Sequence, residues 1–151
     1  MGMITLEEAL TIRNVALDVE EPDAPAAVAK AVGLLKNDPQ MLDWEAFSES
    51  VVEREKKNGT SVGGGLMLPH GRGGFVNELL MSFVRLRTPV MVEGEEVRYV
   101  IAVAVPSSMA ADYLRLVGAL ARVFRDEKST ARLEEFVTSR DLLDWLSDRC
   151  R

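Results

Sequence analysis

A single histidine and a single cysteine stand in a chain of 151 residues. Cys150 has no second thiol to pair with, so an internal disulfide is excluded and a reduced, cytoplasmic setting is expected. One imidazole and one thiol also exclude the clustered ligand sets of zinc sites, and neither a metal nor another cofactor is expected. Positive charge is scarce: 18 Lys and Arg against 24 Asp and Glu give a net charge of −6. That balance argues against a nucleic-acid surface, which needs clustered basic side chains to neutralise phosphates. No apolar run approaches the roughly 20 residues of a membrane span, and no charged-then-apolar leader opens the chain. Direct membrane insertion is therefore not expected. Two nucleotide fingerprints are missing as well. No Lys-Ser/Thr pair follows the glycines, and no Gly-x-Gly-x-x-Gly opens a helix with an acidic residue about 20 positions on.

What is present is concentrated around the histidine. Seven of the eleven glycines fall between positions 59 and 74, and His70 lies among them, followed two residues later by Arg72. Glycine backbone can approach a ligand closely, because no Cβ stands in the way. Imidazole can act as a neutral nucleophile near pH 7 and then carry a group on nitrogen. The combination suggests a site that handles phosphate; by composition alone the loop reads equally as a tight turn.

The rest of the chain reads as one domain spanning 1–151, with 47% hydrophobic and 28% charged residues. No repeat, low-complexity segment or linker divides it. Alternation predicts a short strand over Asn14–Val19. Asp23 before Pro25 predicts a helix start, and that helix places Val28, Val32 and Leu35 on one face, ending near Asn37–Pro39. Asp43 caps a second expected helix in which Phe47, Val51 and Arg54 share a stripe, with Gly59 as its left-handed terminator. Leu66–Pro69, Leu79–Leu86 and Val97–Val105 read as strands, with Val90–Val92 as an edge piece. Tyr99–Val105 is apolar almost throughout, the pattern of a central strand covered on both faces. Ser107-Ser108 is a cap candidate for a helix carrying Tyr113, Val117, Leu120 and Phe124, and helices over Lys128–Val137 and Arg140–Ser147 follow. The expected fold class is α/β: a mixed β-sheet flanked by helices on both faces.

Residues 51–72 carry a more specific pattern. Val51-Val52-Glu53-Arg54-Glu55, Thr60, Gly63, Gly65, Leu66-Met67-Leu68 and Pro69-His70-Gly71-Arg72 follow one another with Arg54 sixteen positions before His70. This block resembles the fructose/mannitol/nitrogen-type (type 2) enzyme IIA proteins of the bacterial phosphoenolpyruvate-dependent sugar phosphotransferase system. The likeness continues through Gly94–Val97 and Leu114–Arg122 and covers nearly the whole chain. It implies the same α/β architecture, His70 as the phosphorylated residue and Arg54 as the phosphate stabiliser. It further implies the histidine-containing phosphocarrier protein as donor, and as acceptor a cysteine on a sugar-transporting IIB component. In the regulatory nitrogen-type members nothing downstream takes the group, and the phosphorylation state controls binding to partner proteins.

The chemistry fits the residue types. Phosphoryl transfer is mostly positioning and charge stabilisation. Amides of the Gly63 and Gly65 turn can cradle phosphoryl oxygens, and the planar fork of Arg54 can neutralise them. A surface arginine paired with Glu53 or Glu55 is the competing reading of Arg54. Thr60 offers one hydroxyl to the phosphate or to a turn. Arg72 follows the nucleophile, but the flanking glycines leave its direction open. Tyr113 stands where many members of the resembled family have a second histidine. Its phenol can donate one hydrogen bond but supplies no positive charge, and its helical spacing to Val117 also suits a core aromatic. A hydrolase with His70 as general base would want an orienting carboxylate and a nucleophile or metal, and the sequence singles out none.

Overall fold

Side-chain caps set most of the helix starts. The computed structural model describes residues 3–151. A single-turn helix α1 (Leu6–Ala9), which the sequence pattern does not announce, is followed by strand β1 (Val15–Val19). Asp23 then accepts a hydrogen bond from the Ala26 amide at 3.0 Å and opens helix α2 (Ala24–Gly33). Asp43 does the same for the Ala46 amide at 3.1 Å and opens helix α3 (Trp44–Lys57). Each such cap is worth about 1 kcal/mol. The end of α3 differs from expectation. Asn58, in extended backbone, terminates it, and Gly59 does not take the left-handed conformation.

The strands are more divided than the apolar runs suggest. β2 (Leu66–Met67) and β3 (His70–Arg72) are separated by Leu68-Pro69, and β4 (Leu80–Met81) and β5 (Phe83–Val92) by Ser82. β6 (Glu95–Val100) and β7 (Val103–Val105) are separated by Ile101-Ala102. The Val90–Val92 piece is the end of β5. A four-stranded mixed sheet has the order β1-β5-β6-β2, and a three-stranded one has the order β3-β7-β4. Three strands thus run through one sheet into the other, and hydrogen bonds at the breaks keep them in register. The Ile101 amide donates to Met67 and the Ser82 amide to Ala102, each at 3.0 Å.

Helix α4 (Ala110–Arg125) follows a 3-10 turn over Ser107–Met109, so the two serines lie in that turn and cap nothing. α5 (Glu127–Leu133) and α6 (Ser139–Arg149) start at Asp126 and Thr138, whose side chains accept from the amides of Ser129 and Asp141. The mixed α/β architecture with helices on both faces is as expected.

Period-two alternation sorts the sheet residues between two cores. Tyr99, Ile101, Val103 and Val105 face a cluster with Leu116, Leu120 and Phe124 of α4 and Leu142 and Leu146 of α6. Val100, Ala102 and Ala104 face the opposite cluster with Val28 and Val32 of α2 and Phe47 and Val51 of α3. Burial on both sides is why Tyr99–Val105 reads as one continuous apolar run. On β3, Gly71 faces α3 closely enough that a Cβ there would lie 3.2 Å from the Phe47 ring and 3.1 Å from Ser50 Oγ. Glycine at this point lets α3 sit close against the strand that carries His70.

Candidate active site around His70

His70 opens β3, an edge strand paired in parallel with β7, where it lies opposite Val103. Its position is held from behind: the Val103 amide donates to the Pro69 carbonyl at 2.9 Å. Alternation sends the imidazole to the face opposite Gly71, toward α4. There it meets Tyr113, the two ring centroids 5.2 Å apart at an interplanar angle of 38°. The imidazole is half-buried. Its Nδ1 is enclosed and finds no hydrogen-bond partner among the described residues.

Arg54 arrives from the other side of the sheet. It lies two turns beyond Phe47 on α3, near the C-terminal end of the helix, and β3 is an edge that a long side chain can reach around. Its Nη1 donates to the Asn58 carbonyl at 3.0 Å, which closes the helix end and fixes the stem of the side chain. Among the described residues it forms no ion pair; Glu53 pairs with Lys56 and Glu55 accepts from Thr60. The alternative of a surface arginine tied to its acidic neighbours is not what the structure shows.

Electrostatics join these groups. Burial holds the His70 imidazolium below the ordinary 6.5, and the Arg54 charge pushes the same way, against an opposing pull from the Leu68 backbone and the Glu55 carboxylate. Burial likewise raises the Tyr113 phenol above its ordinary range, opposed by the same guanidinium. Arg54 therefore acts on both rings, and at neutral pH His70 is neutral, with a lone pair free for attack.

Thr60 is buried, and its hydroxyl donates to Glu55 Oε2 at 2.5 Å. Its carbonyl accepts from the Leu68 amide at 3.0 Å, two residues before His70. Thr60 thus joins the end of α3 to the segment that delivers the imidazole, and its hydroxyl points to a carboxylate. Arg72 is exposed, and alternation along β3 turns it to the same side as His70. Glu55 is a site residue that the sequence reading passed over as a partner for Arg54. Its five-residue separation from Thr60 crosses a helix end, where no regular spacing announces a contact.

Gly63 and Gly65 are not brought to the imidazole. The Val62 amide bonds Leu66 and the Leu66 amide bonds Gly63, so the glycines form the tip of a hairpin whose other end is Thr60 and Leu68. Four residues of largely extended chain then separate Gly65 from His70, a path of roughly 15 Å at strand spacing. Gly63, Gly64 and Gly65 all have positive φ, from 65° to 88°. A Cβ on Gly64 would lie 2.1 Å from the Phe124 carbonyl oxygen, so this turn is packed on the end of α4. The Gly65 carbonyl also accepts from the amides of Arg98 and Tyr99 at 2.9 and 3.0 Å, so this turn is tied to β6 as well as to α4.

An apolar cavity of about 360 Å³, lined by Ala24, Pro25, Val28, Val52, Met67 and Val92, touches this cluster only through Glu55. Among the described residues no carboxylate hydrogen-bonds to His70 Nδ1, the contact that would orient a hydrolase base. Among the described residues no group of three or more His, Cys, Asp and Glu is placed to hold a metal ion. Among the same residues no helix is long and apolar enough to cross a membrane.

Comparison with known proteins gives the arrangement its context. The family model described as "Phosphoenolpyruvate-dependent sugar phosphotransferase system, EIIA 2" matches residues 8–149. The 2-O-alpha-mannosyl-D-glycerate-specific EIIABC component of Escherichia coli is 33% identical over 110 residues, 70% of this chain and 17% of that protein. A nitrogen regulatory protein of Bradyrhizobium diazoefficiens is 31% identical over 91 residues, 58% of this chain and 60% of its own length. The chain therefore spans less than two thirds of both relatives. The crystal structure of nitrogen regulatory protein IIA-Ntr from Neisseria meningitidis superposes with a TM-score of 0.84 at 25% identity, covering 93% of this chain and 98% of that one. By the extent of the family match, the chain belongs to the EIIA type 2 family of the phosphoenolpyruvate-dependent sugar phosphotransferase system.

Proposed function

We propose that this protein is a phosphoryl carrier. His70 accepts the group from the histidine-containing phosphocarrier protein and passes it to a cysteine on a IIB component of a sugar phosphotransferase system. The observation that carries the reading is the half-buried His70 imidazole at the start of an edge strand, set against Tyr113 with its Nδ1 enclosed. Burial together with the Arg54 charge favours its neutral form.

The transfer needs little more than position and charge. The Nε2 lone pair attacks phosphorus in line while the donor's N–P bond breaks, and the donor imidazole leaves with that electron pair. The proton of His70 stays on Nδ1. The phosphoryl oxygens bring negative charge to the place where the Arg54 charge acts, and a guanidinium there stabilises both the transition state and the phosphorylated form. In the second transfer a thiolate attacks the same phosphorus from the open side, and the Nε2–P bond breaks.

A second reading is a regulatory protein whose phosphorylation state controls binding to a partner. Tyr113 favours it: a neutral phenol stands against His70 where many family members have a second histidine. Both similarity to a nitrogen regulatory protein and similarity to a sugar-specific component are observed, so family membership supports either use of the site. Mixing the phosphorylated protein with purified IIB components separates them. Label that moves to a IIB cysteine supports the relay. Label that stays, with partner capture that differs between the two forms of His70, supports regulation.

A further inference from the structure

We propose that Glu55 is a positioning residue of this site: its carboxylate, tied to the buried Thr60 hydroxyl, fixes the segment that carries His70 and holds a negative charge against Arg54. The inference rests on the phosphoryl-carrier reading for its kinetic consequence and on the Glu55–Thr60 and Thr60–Leu68 contacts for the positioning.

The links are on one short path. Glu55 Oε2 accepts from Thr60 Oγ1 at 2.5 Å, a short charge-assisted bond to a side chain removed from water. The Thr60 carbonyl accepts from the Leu68 amide, and Pro69 and His70 follow at once. Glu55 and Arg54 are adjacent on α3, yet they do not pair: Glu55 is held by Thr60 and Arg54 by the Asn58 carbonyl. Holding them apart leaves the guanidinium free to meet incoming oxygens, which an Arg54–Glu55 ion pair would prevent. The charges of Arg54 and Glu55 on α3 act on His70, Tyr113 of α4 meets its ring, and Arg72 lies on its own strand. Glu55 is the one acid among them.

A fixed negative charge near the phosphoryl group has a further effect. It disfavours the phosphorylated form that Arg54 favours, so the bond on His70 stays high in energy and ready to be given up. A carrier that must both load and unload benefits from such a pair of opposed charges.

Two substitutions separate position from charge. Glu55→Gln keeps an oxygen for the Thr60 hydroxyl and removes the charge, while Glu55→Ala removes both. In the unphosphorylated protein, NMR titration of the only imidazole should show His70 losing its proton at lower pH in both variants. Phosphoryl transfer should slow several-fold in Glu55→Ala and stay nearer the wild-type rate in Glu55→Gln, with Thr60→Val resembling Glu55→Ala in rate but not in titration. An unmoved titration in both Glu55 variants would overturn the charge role, and equal rates in all variants would overturn the positioning role. The titration needs no donor protein, so it stands even where wild-type His70 takes no phosphate, an outcome that would refute the carrier reading instead.

Discussion

His70 and Tyr113 meet ring to ring, tilted by 38°, across the gap between an edge strand and helix α4, 5.2 Å between centroids. The phenol shields the imidazole face and contributes to the burial that keeps it neutral, yet it brings no charge. Because the contact is between rings, Tyr113→Phe should leave folding within about 0.5 kcal/mol of wild type. Any effect of the lost hydroxyl on phosphohistidine lifetime should be limited to about 1 kcal/mol, the worth of one neutral hydrogen bond. Tyr113→His should preserve transfer to a IIB cysteine or improve it. Thermal melts and a label-decay assay on the three proteins check this.

Arg54 is expected to act through its fork as well as its charge. Arg54→Lys should slow phosphoryl transfer on the order of tenfold or more. Folding should change little, since the side chain is half-buried and its one hydrogen bond serves a helix end. Stopped reactions with labelled donor give the rate. A wild-type rate in this variant would move the role to Arg72.

The pH behaviour of the fold follows from the same imidazole. His70 binds its proton less readily folded than unfolded, so the native state carries fewer protons in the window just below the ordinary 6.5. Stability should therefore fall as pH drops through 6.5 toward the lower folded value, and then stop falling on this account. Denaturant titrations of wild type and His70→Asn should diverge in that window and run parallel above it. Arg54→Ala should raise the imidazole's proton affinity, because it removes a repelling charge.

The glycine turn should matter for folding and not for chemistry. Gly64→Ala places a Cβ 2.1 Å from the Phe124 carbonyl oxygen at a φ of 65°, a clash and a strained backbone together worth about 3 kcal/mol. Gly63→Ala meets nothing within 4 Å and should cost only about 1 kcal/mol for its positive φ. Phosphoryl transfer by the folded fraction should be unchanged in both. Urea melts alongside transfer rates separate the two effects.

Much of this architecture is legible in local chemistry. Asp23 and Asp43 announce their helices because an N-terminal cap is decided within three residues. The Tyr99–Val105 run announces burial on both faces, because alternation disappears when both sides are covered. The Phe47, Val51, Arg54 stripe follows helical spacing, which sets Arg54 on the same face of α3 as two core residues. What sequence does not carry is set by contacts across the chain. The Thr60–Leu68 pairing turns the glycine cluster away from His70, although composition alone makes that cluster look like a phosphate cradle. The division of the strands into two sheets occurs at Leu68-Pro69, Ser82 and Ile101-Ala102, and at the last of these the apolar run continues unbroken and marks no boundary. Helix α1 has four residues, too few for a periodic signal. The Glu55–Thr60 bond spans a helix terminus and has no spacing rule behind it.

The most direct test of the account is to incubate the protein with phosphoenolpyruvate, enzyme I and the histidine-containing phosphocarrier protein, and to locate the label by mass spectrometry. One acid-labile phosphoryl group on His70, absent from His70→Ala, is the predicted result. Label that persists in His70→Ala, or an acid-stable phosphate on Ser61 or Thr60, would contradict it.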